Sequence, residues 1–279
     1  MTSRPIPLAF LALLSWLAAG PAAACGPEAL GTARVLAVGT VGGGAVGLKT
    51  YPRTLLLEPG EVVLTFDDGP SPGRTDRVLD ALKAQCVRAT FFMVGRDSAA
   101  APALAARVAR EGHSIGYHTM DHANLRHLRP EAAEADIERG FQAVDLAAYG
   151  VARANPQTPF FRFPGFADTP LLDRWLAERD IVVFGADLWA SDWLPETSGD
   201  ELKLILARLD RSKGGILLFH DIQPRTVAML PTFLEALRAR GFRVVHIEAG
   251  PGALATRPAP PGWSSETERF LRRSGGAGG

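Results

Sequence analysis

Seven short apolar runs separated by longer stretches of helical period constrain the fold of this chain more than any other feature. The runs are Glu61–Asp67, Ala89–Val94, Ser114–His118, Phe160–Phe163, Ile181–Ala186, Gly215–His220 and Phe242–Ile247, each with the length and the Val, Ile and Phe content of a strand. Between them, Thr75–Gln85 places Val78, Leu79 and Leu82 on one face, Leu104–Ala109 continues a second helix, and Pro130 opens a third that runs toward Tyr149. Asp168 or Thr169 ahead of Pro170 starts a fourth, Ser198–Arg211 forms a fifth, and Pro224–Arg240 forms a sixth that Gly241 ends. Such alternation predicts an α/β fold built on a parallel sheet, either open or closed into a barrel.

The alternation occupies residues 61–248, which are expected to form the one organised domain. Residues 25–60, with five glycines between Val38 and Gly47, read as an irregular lead-in. Residues 249–279, rich in Ala, Gly, Pro and Arg with one mixed stretch at Trp263–Leu271, read as a tail. Met1–Ala24 carries Arg4 as its single charge, an apolar run from Ile6 to Leu17 and small residues before Cys25, the order of a cleaved signal peptide. The apolar run is short for a spanning helix, which needs about 20 residues. The expected product is exported, periplasmic or extracellular, without a stable membrane span. Cys25 then permits either lipid attachment, with Ala22 in place of the usual large aliphatic residue, or a disulfide to Cys86. The disulfide is the preferred expectation, since closing a loop of about 60 residues is worth roughly 4 kcal/mol in the chain-entropy model.

Polar residues collect where the runs end. Asp67 and Asp68, His118, Arg162, Asp187, and His220 with Asp221 each follow the last apolar residues of a strand. One such residue is ordinary turn chemistry, but in a parallel barrel all of these ends share one rim, where such folds build active sites. His118 and His122, four apart, lie on one face if the segment after the strand turns helical. With Asp68 they offer two nitrogens and one oxygen and leave positions open, as a catalytic zinc site requires. Asp67, adjacent in a strand, points away from Asp68, so the two do not flank a glycosidic bond as a glycosidase pair does. Asp67 is instead a candidate general base and His220 a candidate general acid, the equipment of metal-assisted hydrolysis. His113, His127 and His246 match no such pattern.

Thr65-Phe66-Asp67-Asp68-Gly69-Pro70, His118-Thr119-Met120-Asp121-His122, Arg162-Phe163-Pro164-Gly165, Asp187 to Trp193 and Leu218-Phe219-His220 resemble, in order, the motifs of the polysaccharide deacetylase family, also called the NodB-homology domain or carbohydrate esterase family 4. The resemblance covers roughly Glu61 to Glu248 and implies a distorted (β/α)7 barrel in a single domain. It also implies hydrolysis of N- or O-acetyl groups on a polysaccharide or oligosaccharide with a divalent metal, usually zinc. Carried over by residue, Asp68, His118 and His122 are ligands, Asp67 the base and His220 the acid. Arg162 would hold Asp67, Asp192 would orient and tune His220, and a backbone N–H near Gly165 would meet the oxyanion. Thr119 is a candidate for fixing the loop between the ligands. Phe163 stands where a second proline is common, Gly165 where an aromatic residue is common, and Trp189 where a further aspartate is often found. These departures alter the groove wall, where Trp189, Trp193, Phe163 and Phe166 are candidates for stacking on sugars.

Thirty basic residues balance 30 acidic ones, which argues against a nucleic-acid partner and suits an uncharged glycan. No protein partner is implied. An O-acetyl xylan esterase, a catalytically inactive carbohydrate-binding protein and a two-histidine iron oxygenase are the alternatives. The last usually has an all-β setting, at odds with the alternation here.

Overall fold

The computed structural model describes residues 26–194 and 197–275. In chain order the elements begin with β1 (Thr32–Val41), β2 (Gly44–Val46), β3 (Arg53–Leu55), β4 (Glu61–Asp67), α1 (Thr75–Ala84), β5 (Thr90–Met93), α2 (Gly95–Ala100) and α3 (Pro102–Arg110). They continue with β6 (Ser114–Tyr117), α4 (Pro130–Tyr149), β7 (Phe160–Phe161), α5 (Pro170–Ala177), β8 (Val182–Phe184), β9 (Leu188–Trp189) and α6 (Ser198–Ser212). The last are β10 (Gly215–His220), α7 (Pro224–Ala239), β11 (Arg243–Ala253), β12 (Thr256–Pro258) and α8 (Glu266–Gly275). All seven expected strands are present, and Pro130 and Pro224 open their helices as expected.

The barrel follows from the pairing. Strands β10, β4, β5, β6, β7 and β8 lie side by side and parallel, and the chain beyond β8 re-forms as β9, which pairs with β10 and closes the ring. The distortion lies at the seventh strand. β11 pairs with β4 only at Arg243–Glu61 and Val244–Val62, then runs on beside β1. Every residue of β4 is buried, as expected for a parallel strand covered on both faces. Val63, Phe92, Phe160, Phe184 and Ile216 form an inner cluster built of strands and loops. Their sequence neighbours Leu64, Phe91, Phe161, Val183 and Leu217 pack with the helices in the outer core.

The described parts of the expected lead-in, 25–60, and of the expected tail, 249–279, carry regular elements: β1, β2 and β3 in the first, the end of β11, β12 and α8 in the second. β1 joins the main sheet through β11, β2 pairs with β8, and β12 pairs antiparallel with β3. Glycine misled the reading because it serves close approach here: a Cβ on Gly39 would lie 2.3 Å from the carbonyl oxygen of Ala253. The expected signal segment and Cys25 fall outside the described residues. Cys86 is not a free thiol. No helix among the described residues is long and apolar enough to cross a membrane.

Candidate active site

Strand register builds the site. β10 runs beside β4 with His220 opposite Asp67. Tyr117 of β6 is paired with Phe161 of β7, so the next residues, His118 and Arg162, emerge together at the same rim. Asp68, at φ 78°, leaves β4 in the left-handed region and carries the chain into the loop before α1.

Asp68 Oδ1 lies 3.0 Å from His122 Nε2 and 3.4 Å from His118 Nε2. One ligand atom from each of these residues falls within 4.8 Å of the others. Asp68 Oδ1 is buried and makes no well-directed hydrogen bond. Burial opposes its charge, yet the two imidazoles against it hold the carboxyl well below the usual carboxylate range. His118 Nδ1 donates to the carbonyl oxygen of Arg162 at 2.7 Å, which fixes the ring with Nε2 facing Asp68. A buried carboxylate oxygen without a donor, facing imidazole nitrogens, fits a divalent cation.

The loop carrying the two histidines is not helical, contrary to the sequence expectation. Thr119 and His122 both adopt positive φ, at 65° and 56°. Packing imposes this: Gly95 N and Arg96 N donate to Thr119 O and Met120 O, and Met120 N donates to Asp136 O. α4 approaches so closely that a Cβ on Gly140 would lie 2.5 Å from the carbonyl carbon of Thr119. Thr119 does fix the loop, since its hydroxyl accepts from His122 N at 3.0 Å. The imidazoles meet edge to face at 5.0 Å, so the pair reaches one point by loop geometry rather than helical spacing.

Arg162, with no exposed surface, donates from Nη1 to Asp67 Oδ1 at 2.6 Å and to Thr65 Oγ1 at 2.8 Å. Its Nε and Nη2 donate to the carbonyls of Phe184 and Gly185. Burial pulls the guanidinium down, and the Asp67 carboxylate opposes that shift. The other oxygen of Asp67, Oδ2, lies 3.9 Å from His118 Nε2, on the side of the ligand cluster. Opposite, Asp192 holds His220 twice, through its Nδ1 at 2.7 Å and its backbone N at 2.6 Å. Burial disfavours a charged His220, but the Asp192 carboxylate, reinforced by Asp68 and Asp67, pushes it up to about 9.

A further layer, without a motif in the sequence, lies behind these groups. Thr226 Oγ1 lies 2.7 Å from Asp192 Oδ2 and 3.0 Å from Glu201 Oε1, extending the His220 chain into α6 and α7. Burial and the charge of Asp192 push Glu201 up to about 7. Asp221 accepts from Thr75 Oγ1 at 2.5 Å behind the loop, and Asp121 pairs with Arg139, so both act as local partners. Asp187 is not at the rim: its carboxylate accepts from Leu48 N, Thr54 Oγ1 and Ile216 N, at the other end of β10. His113 and His246 are buried away from the site.

A cavity of about 300 Å³ joins these groups, lined by Asp67, Asp68, His118, His122 and His220 together with Phe163, Gly165, Phe166, Trp189 and Trp193. The four expected aromatic residues thus reach the cavity wall. Trp189 stacks on Phe166, and Trp193 meets both Trp189 and His220 edge to face. A second depression of about 470 Å³ shares Asp68 and His122 and is lined by Arg74, Arg96 and Asp121. Thr267 and Phe270 of α8, from the expected tail, also line the first cavity. The mixed stretch Trp263–Leu271 was the one sign of them in the sequence.

Residues 57–171 match the family model described as polysaccharide deacetylase. The chain is 33% identical over 191 residues to the peptidoglycan-N-acetylglucosamine deacetylase of Listeria monocytogenes, a match covering 67% of this chain and 38% of that protein's length. It is 30% identical over 208 residues to the chitooligosaccharide deacetylase of Sinorhizobium fredii, covering 70% of this chain and 93% of that one. The solved peptidoglycan deacetylase of Bdellovibrio bacteriovorus superposes with a TM-score of 0.69 at 32% identity, over 78% of this chain and 59% of that one. The ring of strands, the order of the rim motifs and these matches place the chain in the polysaccharide deacetylase family, the metal-dependent carbohydrate esterase family 4.

Proposed function

We propose that this chain hydrolyses the N-acetyl group of GlcNAc-type sugars in a polysaccharide or oligosaccharide, with zinc held by Asp68, His118 and His122. The observation that supports this most is the pairing of two oriented groups across the ligand cluster: Asp67 anchored by Arg162 on one side and His220 anchored by Asp192 on the other. When bound, the cation supplies Lewis acidity to the acetyl carbonyl and to the attacking water.

Asp67 commits Oδ1 to Arg162 and takes the proton of the water at Oδ2. Water oxygen bonds to the acetyl carbon, and the developing oxyanion is met by the backbone N–H of Gly165. In that turn the N–H groups of Phe166 and Ala167 are already bonded to Phe163 O and Pro164 O. His220, kept protonated by Asp192, gives its Nε2 proton to the sugar nitrogen as the carbon–nitrogen bond breaks, releasing acetate and a free amine. Two depressions meeting at Asp68 and His122 suit a substrate longer than one sugar. Export through residues 1–24 would bring the enzyme to such polymers in the periplasm or outside the cell.

Acetate release from GlcNAc oligomers, peptidoglycan and acetylated xylan, before and after chelation and zinc readdition, tests the reading. Zinc-dependent release from the amide substrates is expected. Release from xylan alone would reassign the chain as an O-acetyl esterase, and metal binding with no acetate from any substrate would favour a carbohydrate-binding protein.

A further inference from the structure

The C-terminal helix is fixed to the barrel at one end of the active-site cavity. Thr267, buried, shares a 2.9 Å hydrogen bond between hydroxyls with Thr50, and its N–H donates to Lys49 O at 3.0 Å. Trp263 Nε1 donates to Leu48 O at 2.7 Å. Lys49 pairs with Glu266 at 2.6 Å, and Arg126, which also holds Asp168, pairs with Glu268 at 2.7 Å. The same Lys49 ammonium stands 5.2 Å over the ring of Trp189. Bonds to three consecutive residues, 48–50, set the position of α8 relative to the aromatic wall.

Phe270 lies three residues beyond Thr267 and therefore on the same helix face, and both line the cavity that contains Asp67, Asp68 and His220. Phe270 is 52% exposed and Trp193 37% exposed. An anchored helix that presents a half-exposed aromatic ring to a cavity already walled by tryptophan offers an apolar surface to a ligand. We infer that α8 is a substrate wall and that Phe270 is a specificity-determining residue whose ring packs against the apolar face of a neutral pyranose in the bound glycan. This rests on the carbohydrate reading of the site given above, and it assigns a binding role to a segment outside the matched motifs.

The test is calorimetric titration of a GlcNAc pentamer into the full-length, zinc-loaded protein carrying Asp67→Asn, which is expected to stall turnover. Adding Phe270→Ala should weaken Kd by about fivefold, in line with the worth of one aromatic contact. Phe270→Trp should restore Kd to within about twofold, and Arg269→Ala, on the neighbouring exposed residue, should leave it unchanged. An unaltered Kd in Phe270→Ala, a loss that Trp does not rescue, or no pentamer binding even with Phe270 present would each overturn the inference. Acetate release by the unmodified protein is scored separately. Pentamer binding insensitive to Phe270 alongside normal acetate release removes the wall alone, whereas Phe270-dependent binding without acetate release removes the deacetylase reading alone.

Discussion

The two sides of the cavity are built to different standards. Around the ligand cluster, Arg162, Asp192, His118 and Asp67 are buried and each is held by short hydrogen bonds. Along the aromatic wall, Trp193 and Phe270 are substantially exposed. Proton transfer tolerates little error in distance, and the groups proposed for it sit at strand ends with their partners locked. The proposed glycan contacts spread over large apolar faces that tolerate looser placement, and the residues offered for them come from loops and the C-terminal helix.

Substitutions can break this contrast, and the largest effects belong to the locked side. Asp67→Asn should lower kcat by about 10²–10⁴-fold, the usual worth of a general base, while zinc content measured by atomic absorption stays at one per chain. His122→Ala should instead lose metal, by about 10-fold or more in Kd, and near-normal zinc retention would remove His122 from the ligand set. Arg162→Met should destabilise the fold by about 3–5 kcal/mol, because it leaves Asp67 as an uncompensated buried charge. Urea denaturation showing less than about 1 kcal/mol would mean the pair is not structurally important.

The acid makes a prediction in pH. On the proposed mechanism His220 acts as the protonated acid, so kcat should fall as pH rises through about 9, where the Asp192 carboxylate places it. Asp192→Asn removes the charge that raises His220, and the falling limb should move to lower pH. A limb that stays in place would show that another group controls it. On the wall the effects should be smaller. Trp193→Ala should raise KM for a GlcNAc oligomer a fewfold with little change in kcat, and a larger loss in kcat than in KM would place Trp193 with the locked side. Glu268→Gln, removing one exposed pair with Arg126, should cost about 0–1 kcal/mol in thermal stability.

The locked side was legible in the sequence because its residues follow apolar runs, and the register of parallel strands brings such ends to one rim. Asp67, Asp68, His118, Arg162 and His220 all emerged that way. Asp187 also follows a strand, yet that strand breaks after Phe184, and Asp187 turns back to bond the start of β10. Thr226, Glu201 and Phe270 left no comparable mark, since nothing in a linear pattern tells that a helix interior or a C-terminal segment returns to the site. β1 was missed for a related reason: paired on one side only, it alternates between exposed and partly covered residues, and Gly39 with the glycines that follow the strand looks like a turn.

Arg162 serves the locked side with two different parts of itself. Its guanidinium anchors Asp67, and its main-chain carbonyl orients His118. Replacement of the side chain removes the first function and leaves the second chemically intact, since every amino acid brings the same carbonyl. On the mechanism proposed above, a single codon change would separate a hydrolase from a protein that keeps its ligand set but has lost the anchor of its base. The reverse change, restoring arginine on an otherwise preserved scaffold, is equally short.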